Sequence, residues 1–172
     1  MRIGGIDPGK SGALVVIDGW KTFEDAEIIV CKVPLIKVKV GKKEKTKPDY
    51  VQMASLWSEV IYSCDHVFIE RVGAMPKQGA ASTFNFGYVA GAAYGLLVAQ
   101  KIPHTFVTPQ VWKKKMGLSG DDKDKSRERA SQLLPRFSEN WKLVKDDGVA
   151  EAALLCYFGG LALGKQDPEA TL

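Results

Sequence analysis

Four acidic side chains stand at the ends or starts of predicted elements, and they are the residues best suited to chemistry. Asp7 ends the first apolar run of the chain, and Glu70 follows three consecutive apolar residues. Asp147 and Glu151 open a later apolar segment, and because they are four residues apart they share one face of a helix. Carboxylates at two strand ends and on one helical turn can converge on a metal ion.

Phosphodiester hydrolysis is the reaction that such a set would serve. It needs an activated water and charge neutralisation on the attacking and leaving oxygens, which two Mg²⁺ ions about 4 Å apart provide. Mg²⁺ prefers carboxylate and water oxygens, and the sequence has no His/Cys cluster that would favour zinc. We therefore expect two Mg²⁺ ions per active site, with Mn²⁺ as a substitute.

Each acid also has a purely structural explanation. An Asp before Pro, as in Asp7-Pro8, starts a turn, and a Glu at a strand end is usually exposed. Asp146, Asp147 and Glu151 suit a first helical turn because of the helix dipole. However, the helix that follows them is almost purely apolar, so its leading acids would point into the protein, which favours a functional site.

The elements that would carry these acids follow an α/β pattern. Runs rich in Ile and Val predict strands at 2–7, 12–18, 28–33, 66–70 and 104–107. Helices are predicted after Pro48-Asp49 and at 82–100, 109–116, 125–134 and 148–163, and a lysine-rich loop or hairpin tip at 37–47. Three antiparallel strands followed by alternating helices and strands predict a five-stranded mixed sheet with helices on both faces.

Length and composition predict one globular domain over residues 1–172, with 45% apolar and 26% charged residues. The apolar region 84–99 is too short and too interrupted to span a bilayer, so no membrane association is expected. Three dispersed cysteines without a CxxC pair argue against a disulfide framework and fit a reducing compartment. No signal peptide is evident at the N-terminus.

The net charge of +4 is unevenly distributed, because lysines concentrate at 37–47 and 113–125. Such stretches suit a polyanionic partner, although a solvated lysine-rich loop has the same composition. Phosphate contacts are expected chiefly from Lys113, Lys125 and the 37–47 segment. Binding carried by such contacts weakens steeply with salt.

Three segments resemble motifs of RuvC-type Holliday junction resolvases, in the phage and chloroplast-like branch of the RNase H-like superfamily. The opening run Ile3–Gly12 is similar to their first strand and turn, and Val67–Glu70 to their second acidic motif. Lys145–Leu155 resembles their C-terminal acidic helix. Gln78-Gly79 and Phe86-Gly87-Tyr88 are also shared with that branch. The resemblance covers nearly the whole chain in order and spacing.

The resemblance implies an RNase H-like fold and a structure-specific endodeoxyribonuclease that resolves four-way junctions by paired cuts. It implies a shared set of metal ligands, namely Asp7, Glu70, Asp147 and Glu151. Bacterial members usually place the last two acids three apart, whereas here the spacing is four, or five if Asp146 serves instead of Asp147. Asp147 is preferred because it shares a helix face with Glu151.

The resemblance also implies a set of catalytic and DNA-contacting residues outside the acids. Lys113 and Lys125 would lie near the scissile phosphate and stabilise negative charge in the transition state, unless they are only part of a generic basic surface. Phe84 or Phe86 would wedge against bases, although Phe86 is also suited to a core. The full set of expected DNA contacts is Lys77, Gln78, Phe84, Lys113, Lys114, Lys123 and Lys125.

Paired cuts in a junction with near two-fold symmetry call for a symmetric homodimer. The small-residue face of 82–100, with Gly87, Gly91 and Gly95, is the expected contact, and intramolecular packing on the sheet is the alternative.

Other functions remain open from sequence. They are an RNase H-like nuclease acting on flaps, forks or RNA–DNA hybrids, and a catalytically inactive module that binds branched DNA. An actin-like nucleotide-binding protein shares the first motif but needs two such domains. A bacterial or phage protein of this kind would be cytoplasmic or nucleoid-associated, and a processed eukaryotic form would be organellar.

Overall fold

A computed structural model describes residues 1–19, 25–73, 79–118 and 123–164, with the backbone alone for 80–82 and 123–124. The strands are β1 (Arg2–Asp7), β2 (Ala13–Asp18), β3 (Glu27–Lys32), β4 (Leu35–Val40), β5 (Lys43–Pro48), β6 (His66–Glu70) and β7 (His104–Val107). The helices are α1 (Tyr50–Tyr62), α2 (Ala80–Ala99), α3 (Pro109–Lys115), α4 (Lys123–Leu133) and α5 (Asp147–Ala162). Two 3₁₀ helices, Pro135–Trp141 and Val144–Asp146, were not predicted.

The central sheet has the strand order β3-β2-β1-β6-β7. β1, β2 and β3 pair antiparallel, whereas β1, β6 and β7 pair parallel. This arrangement confirms the predicted five-stranded mixed sheet. β1 ends on Asp7 and its parallel neighbour β6 ends on Glu70, and the register Ile6↔Ile69 brings those two carboxyl ends side by side.

Helices cover both faces of the sheet, as the sequence predicts. Alternation along β1 turns Ile6 to a core shared with α1 and α2, whose buried residues include Trp57 and Ala93. Ile3 faces the opposite core, where α4 and α5 pack. Both cores are dominated by aliphatic and aromatic side chains, so the sheet is a rigid platform for the acids at its edge. No helix within the described ranges has the length and apolarity needed to cross a membrane.

The predicted lysine-rich loop or hairpin tip at 37–47 is a complete hairpin. β4 and β5 form a separate two-stranded sheet with six paired positions, from Leu35↔Pro48 to Val40↔Lys43. Asp49, directly after the hairpin, caps α1 by accepting a hydrogen bond from the Gln52 amide at 3.0 Å.

Helix α5 lies directly against the backbone of β1. A side chain at Gly5 would overlap the carbonyl oxygen of Ala152 and the amide nitrogen of Cys156. The Cys156 thiol donates a hydrogen bond to the Ile3 carbonyl oxygen at 2.9 Å. At the start of α5, a side chain at Gly148 would overlap the Ser11 carbonyl group. These two close approaches fix the first turn of α5 beside the carboxyl end of β1.

We predict that Gly5→Ala lowers the free energy of unfolding by about 1–3 kcal/mol or more, because the added methyl group collides with backbone on α5 that cannot move aside. Urea unfolding would measure the change. Gly73→Ala is the control, since a Cβ there meets nothing within 4 Å, and its unfolding should be unchanged. Equal stability of both variants would show that α5 does not depend on this contact.

Candidate active site

Asp7 is a buried carboxylic acid at the end of β1, with a relative exposure of 8%. The Gly9 amide donates a hydrogen bond to its Oδ1 at 3.0 Å, which orients the carboxyl group within the following turn. Burial raises the pKa of Asp7 to about 8, and the negative charges of Glu151 and Glu70 add to the increase. Asp7, which the sequence analysis selected because it ends a strand, therefore lies in a cluster of carboxylates.

Glu70 lies at the end of β6, the parallel neighbour of β1. The indole N–H of Trp112 donates to its Oε2 at 2.8 Å. Burial raises the pKa of Glu70, the Trp112 hydrogen bond opposes that change, and Glu151 adds to it. Trp112 is itself fully buried on α3, so it holds one oxygen of Glu70 in a defined place.

Glu151 faces these two acids from the second turn of α5. Its Oε1 accepts from the Lys113 ammonium group at 3.2 Å and from the Ser126 hydroxyl at 3.2 Å. Ser126 is buried, whereas Lys113 is partly exposed and reaches the site from the solvent side. Lys113 also lowers the pKa of both Asp7 and Glu70, opposing the effect of burial. Lys113 thus interacts electrostatically with the carboxyl groups of Asp7, Glu70 and Glu151.

The donor set fits a hard divalent cation. Asp7, Glu70 and Glu151 offer oxygen ligands. Burial and the two neighbouring carboxylates raise the pKa of Asp7 to about 8, so a bound cation would displace the proton that this carboxyl group favours. In the part of the chain that the structure describes, no three His, Cys, Asp or Glu side chains already surround one metal position. Metal binding would therefore require the carboxylates to rotate toward one another.

The two adjacent aspartates at the start of α5 are held by different cations. Asp147 Oδ1 accepts from the Arg127 guanidinium at 2.8 Å, and Asp146, which is buried, accepts from the Lys32 ammonium group. Neither aspartate is among the charged groups that act on the pKa of Asp7 or Glu70. The predicted role of Asp147 as a metal ligand stays a prediction, as does its preference over Asp146.

The other predicted site residues are dispersed. Lys114 and Lys125 are exposed on α3 and α4. Phe84 is exposed on α2, where its ring makes an edge-to-face contact with Tyr88 at a centroid distance of 4.9 Å. Phe86 is half-buried and belongs to neither core cluster in the described ranges. Lys77 and Gln78, and the side chain of Lys123, lie outside the described residues.

Four residues that hold the acids were not identified from the sequence: Lys32, Trp112, Ser126 and Arg127. Each contacts its carboxylate across 20 or more positions of the chain, up to 114 for Lys32 and Asp146. Trp112 and Ser126 do directly adjoin Lys113 and Lys125, so their position next to the expected catalytic lysines was the only available signal.

No protein-family model and no curated protein sequence matches this chain. Among solved structures, the chain is similar to T. thermophilus RuvC in complex with a Holliday junction substrate, at 14% identity over 98% of this chain and 99% of that one, with a TM-score of 0.60. A second Thermus thermophilus RuvC structure is similar at 15% identity over 98% and 99%, with a TM-score of 0.54.

The fowlpox virus Holliday junction resolvase aligns at 13% identity over 95% of this chain and 99% of that one, with a TM-score of 0.41. The two RuvC similarities span nearly the whole chain, including β1, β6 and α5, which bear the acids. They show that the chain has the RuvC-like, RNase H-like fold that the sequence predicted.

Proposed function

We propose that this chain is a metal-dependent endonuclease that resolves four-way DNA junctions by paired phosphodiester hydrolysis. The observation that carries the proposal is the meeting of Asp7, Glu70 and Glu151 at one end of the sheet, in a fold shared with a protein solved on a Holliday junction substrate. A buried group of acids is costly unless a cation or proton offsets their charge. A purely structural role gives no reason to retain three.

Asp7, Glu70 and Glu151 would hold Mg²⁺, with Asp147 as a further ligand once it leaves Arg127. Two ions, for which Mn²⁺ can substitute, supply an activated water and offset charge on the attacking and leaving oxygens. Trp112 and Ser126 each hold one carboxylate oxygen, of Glu70 and Glu151 respectively, and would keep these two side chains at the site while they rotate toward an ion. The Gly9 amide does the same for Asp7.

Lys113 is placed to act on the substrate. Its ammonium group lies beside Glu151 and is partly exposed, so it can move from the carboxylate to a phosphate oxygen. A lysine there would stabilise the negative charge that builds up as the phosphodiester is attacked. Lys125 is exposed on α4, where it can contact a phosphate of the same strand.

The main alternative is an RNase H-like nuclease with another substrate, because flaps, forks and RNA–DNA hybrids would use the same acids. A catalytically inactive module that binds branched DNA is the second alternative. A panel of synthetic junctions, forks, flaps and hybrids separates these functions. The proposal expects the four-way junction to be cut fastest and in paired strands.

A homodimer would supply the two active sites that paired cuts need. The glycine face of α2 does not pack on the sheet, which corrects the intramolecular alternative: Val89, Ala93 and Leu97 face the core, and a Cβ at Gly87, Gly91 or Gly95 meets nothing within 4 Å. The same helix exposes Phe84, Tyr88, Tyr94 and Val98. This open apolar surface supports α2 as the contact between two copies.

Catalysis is tested by single substitutions in the acid set. Asp7→Asn and Glu70→Gln should each reduce junction cleavage by orders of magnitude and leave junction binding nearly intact.

Trp112→Phe should lower the cleavage rate roughly 10- to 100-fold, as expected when a metal ligand loses its hydrogen-bonding partner. Asp146→Asn should be milder than Asp147→Asn. Glu59→Gln, exposed on α1, is the control. Full activity of Asp7→Asn or Glu70→Gln would refute the assignment.

The raised pKa of Asp7 predicts how stability depends on pH. A carboxyl group with a pKa near 8 when folded and an ordinary value of 3.8 favours the folded state at low pH, and that stability is lost as pH rises from about 4 through 8. Asp7→Asn should therefore raise the Tm of the metal-free protein at pH 8 and change it little at pH 4.

Mg²⁺ should raise the Tm of the parent protein at pH 8, because it binds the folded state and replaces the Asp7 proton. The Asp7→Asn variant should lose most of this response. Thermal unfolding with and without Mg²⁺ measures both effects. A lower Tm for metal-free Asp7→Asn at pH 8 would show that Asp7 is not destabilised by its neighbours.

The dimer is tested at Gly91. Light scattering should give a mass near 38 kDa, about twice the 18.8 kDa of the chain. Gly91→Arg should give a monomer that is still folded by circular dichroism, because nothing in the monomer lies within 4 Å of the added Cβ. Gln132→Arg, exposed on α4 across the sheet, should remain dimeric. A parent protein that stays monomeric on junction DNA and nicks one strand would contradict the proposal.

A further inference from the structure

The hairpin β4–β5 has two chemically different faces. Side chains alternate along each strand, and the register Val38↔Lys45 assigns every position to a face. One face, here called the lysine face, carries Ile36, Val38, Val40, Lys43, Lys45 and Lys47. The charged residues of the opposite face are Lys37, Lys39 and Glu44.

The charge of the hairpin is concentrated on the lysine face. It holds three lysines and no acid, whereas the opposite face holds two lysines and one acid. On that opposite face the Lys37 ammonium group lies 3.2 Å from Glu44 Oε2. Within the described ranges no ion pair involves Lys43, Lys45 or Lys47, and all three are exposed. No described acid offsets their mutual repulsion, so an anionic partner is favoured.

The base of the hairpin adjoins the candidate active site. Lys32, at the end of β3, pairs with Ala13, and Ala13 pairs with Asp7. The Lys10 ammonium group, in the turn that follows Asp7, donates to the Thr46 carbonyl oxygen at 2.8 Å. The hairpin therefore extends from the sheet at the end where the acids meet.

We propose that the lysine face binds the phosphates of a duplex DNA arm whose strand enters the active site. The inference rests on the proposed nuclease function and names the surface that holds its substrate. Lysines two residues apart on a strand are about 6.7 Å apart, similar to the spacing of successive phosphates along a nucleic-acid strand. A strand of this length reaches about 20 Å, or about three such phosphate spacings.

The apolar residues of the same face suit this occupant. Ile36 and Val40 are 46% and 44% exposed, and they lie on β4, which pairs with the lysine-bearing strand β5. Sugar rings line the edges of a groove between phosphates, so aliphatic side chains beside the lysines would contact them while the ammonium groups reach the phosphates.

The test compares two double variants that remove the same charge. Lys43→Gln/Lys45→Gln alters the lysine face, and Lys37→Gln/Lys39→Gln alters the opposite one. Affinity for a long-armed synthetic four-way junction is measured without divalent metal over a range of salt concentrations. Each lost phosphate contact lowers the slope of log K against log salt by about 0.9, so the first variant should lose about 1.8. The control should lose less than half as much.

Hydroxyl-radical footprinting should also show lost protection on one arm next to the cleavage point, in the lysine-face variant alone. Equal slope changes in both variants, or none in either, would overturn the proposal. So would a Lys43→Gln/Lys45→Gln defect confined to binding of phosphatidylserine vesicles. Cleavage by the parent protein with Mg²⁺ is measured separately. A chain that binds the junction through this face but never cuts it would disprove the nuclease and leave the binding surface standing.

Discussion

The structure depends on one steric constraint, the backbone contact between α5 and β1. Gly5 lets the Ala152–Cys156 segment lie directly on the central strand, and Gly148 lets the first turn of α5 lie on the Ser11 carbonyl group. Because both contacts are between backbones, they leave little freedom in the distance between α5 and β1. Glu151 is thereby fixed opposite Asp7, and the remaining contacts of the site adjust around that pair.

The same contact creates the electrostatic problem that the site must solve. Asp7 is buried beside Glu70 and Glu151, and burial, together with the negative charges of these two neighbours, raises its pKa to about 8. Lys113 offsets part of this charge, and the Trp112 indole N–H stabilises the charged form of Glu70. Clustered carboxylates with raised pKa values are the arrangement expected of a site that binds cations.

Much of the fold could be predicted from local pattern. Ile- and Val-rich runs and helical spacing predicted all five strands of the central sheet and the five helices, with ends within about two residues. The acids at Asp7 and Glu70 were identified by their place at strand ends. The 3₁₀ helices were missed, and the hairpin was predicted only in part, since its exposed lysines gave a weak strand signal.

The hydrogen bonds and ion pairs that position the acids could not be predicted, because the donor and the carboxylate are far apart in sequence. Asp147 and Glu151 share a helix face, yet Arg127 binds the first while Lys113 and Ser126 bind the second. Helical spacing predicts which side chains lie on the same face of α5, but it does not predict which cationic side chain binds each of them. The sequence pattern favours Asp147 as a metal ligand, whereas in the structure its carboxylate is bound by Arg127.

The most direct test of the account is anomalous diffraction from crystals grown with Mn²⁺. We predict a strong peak within bonding distance of Asp7, Glu70 and Glu151, with Asp147 released from Arg127 if it is a ligand. Absence of any peak there at saturating Mn²⁺, or a peak bound only by other side chains, would contradict a metal-dependent site at this end of the sheet.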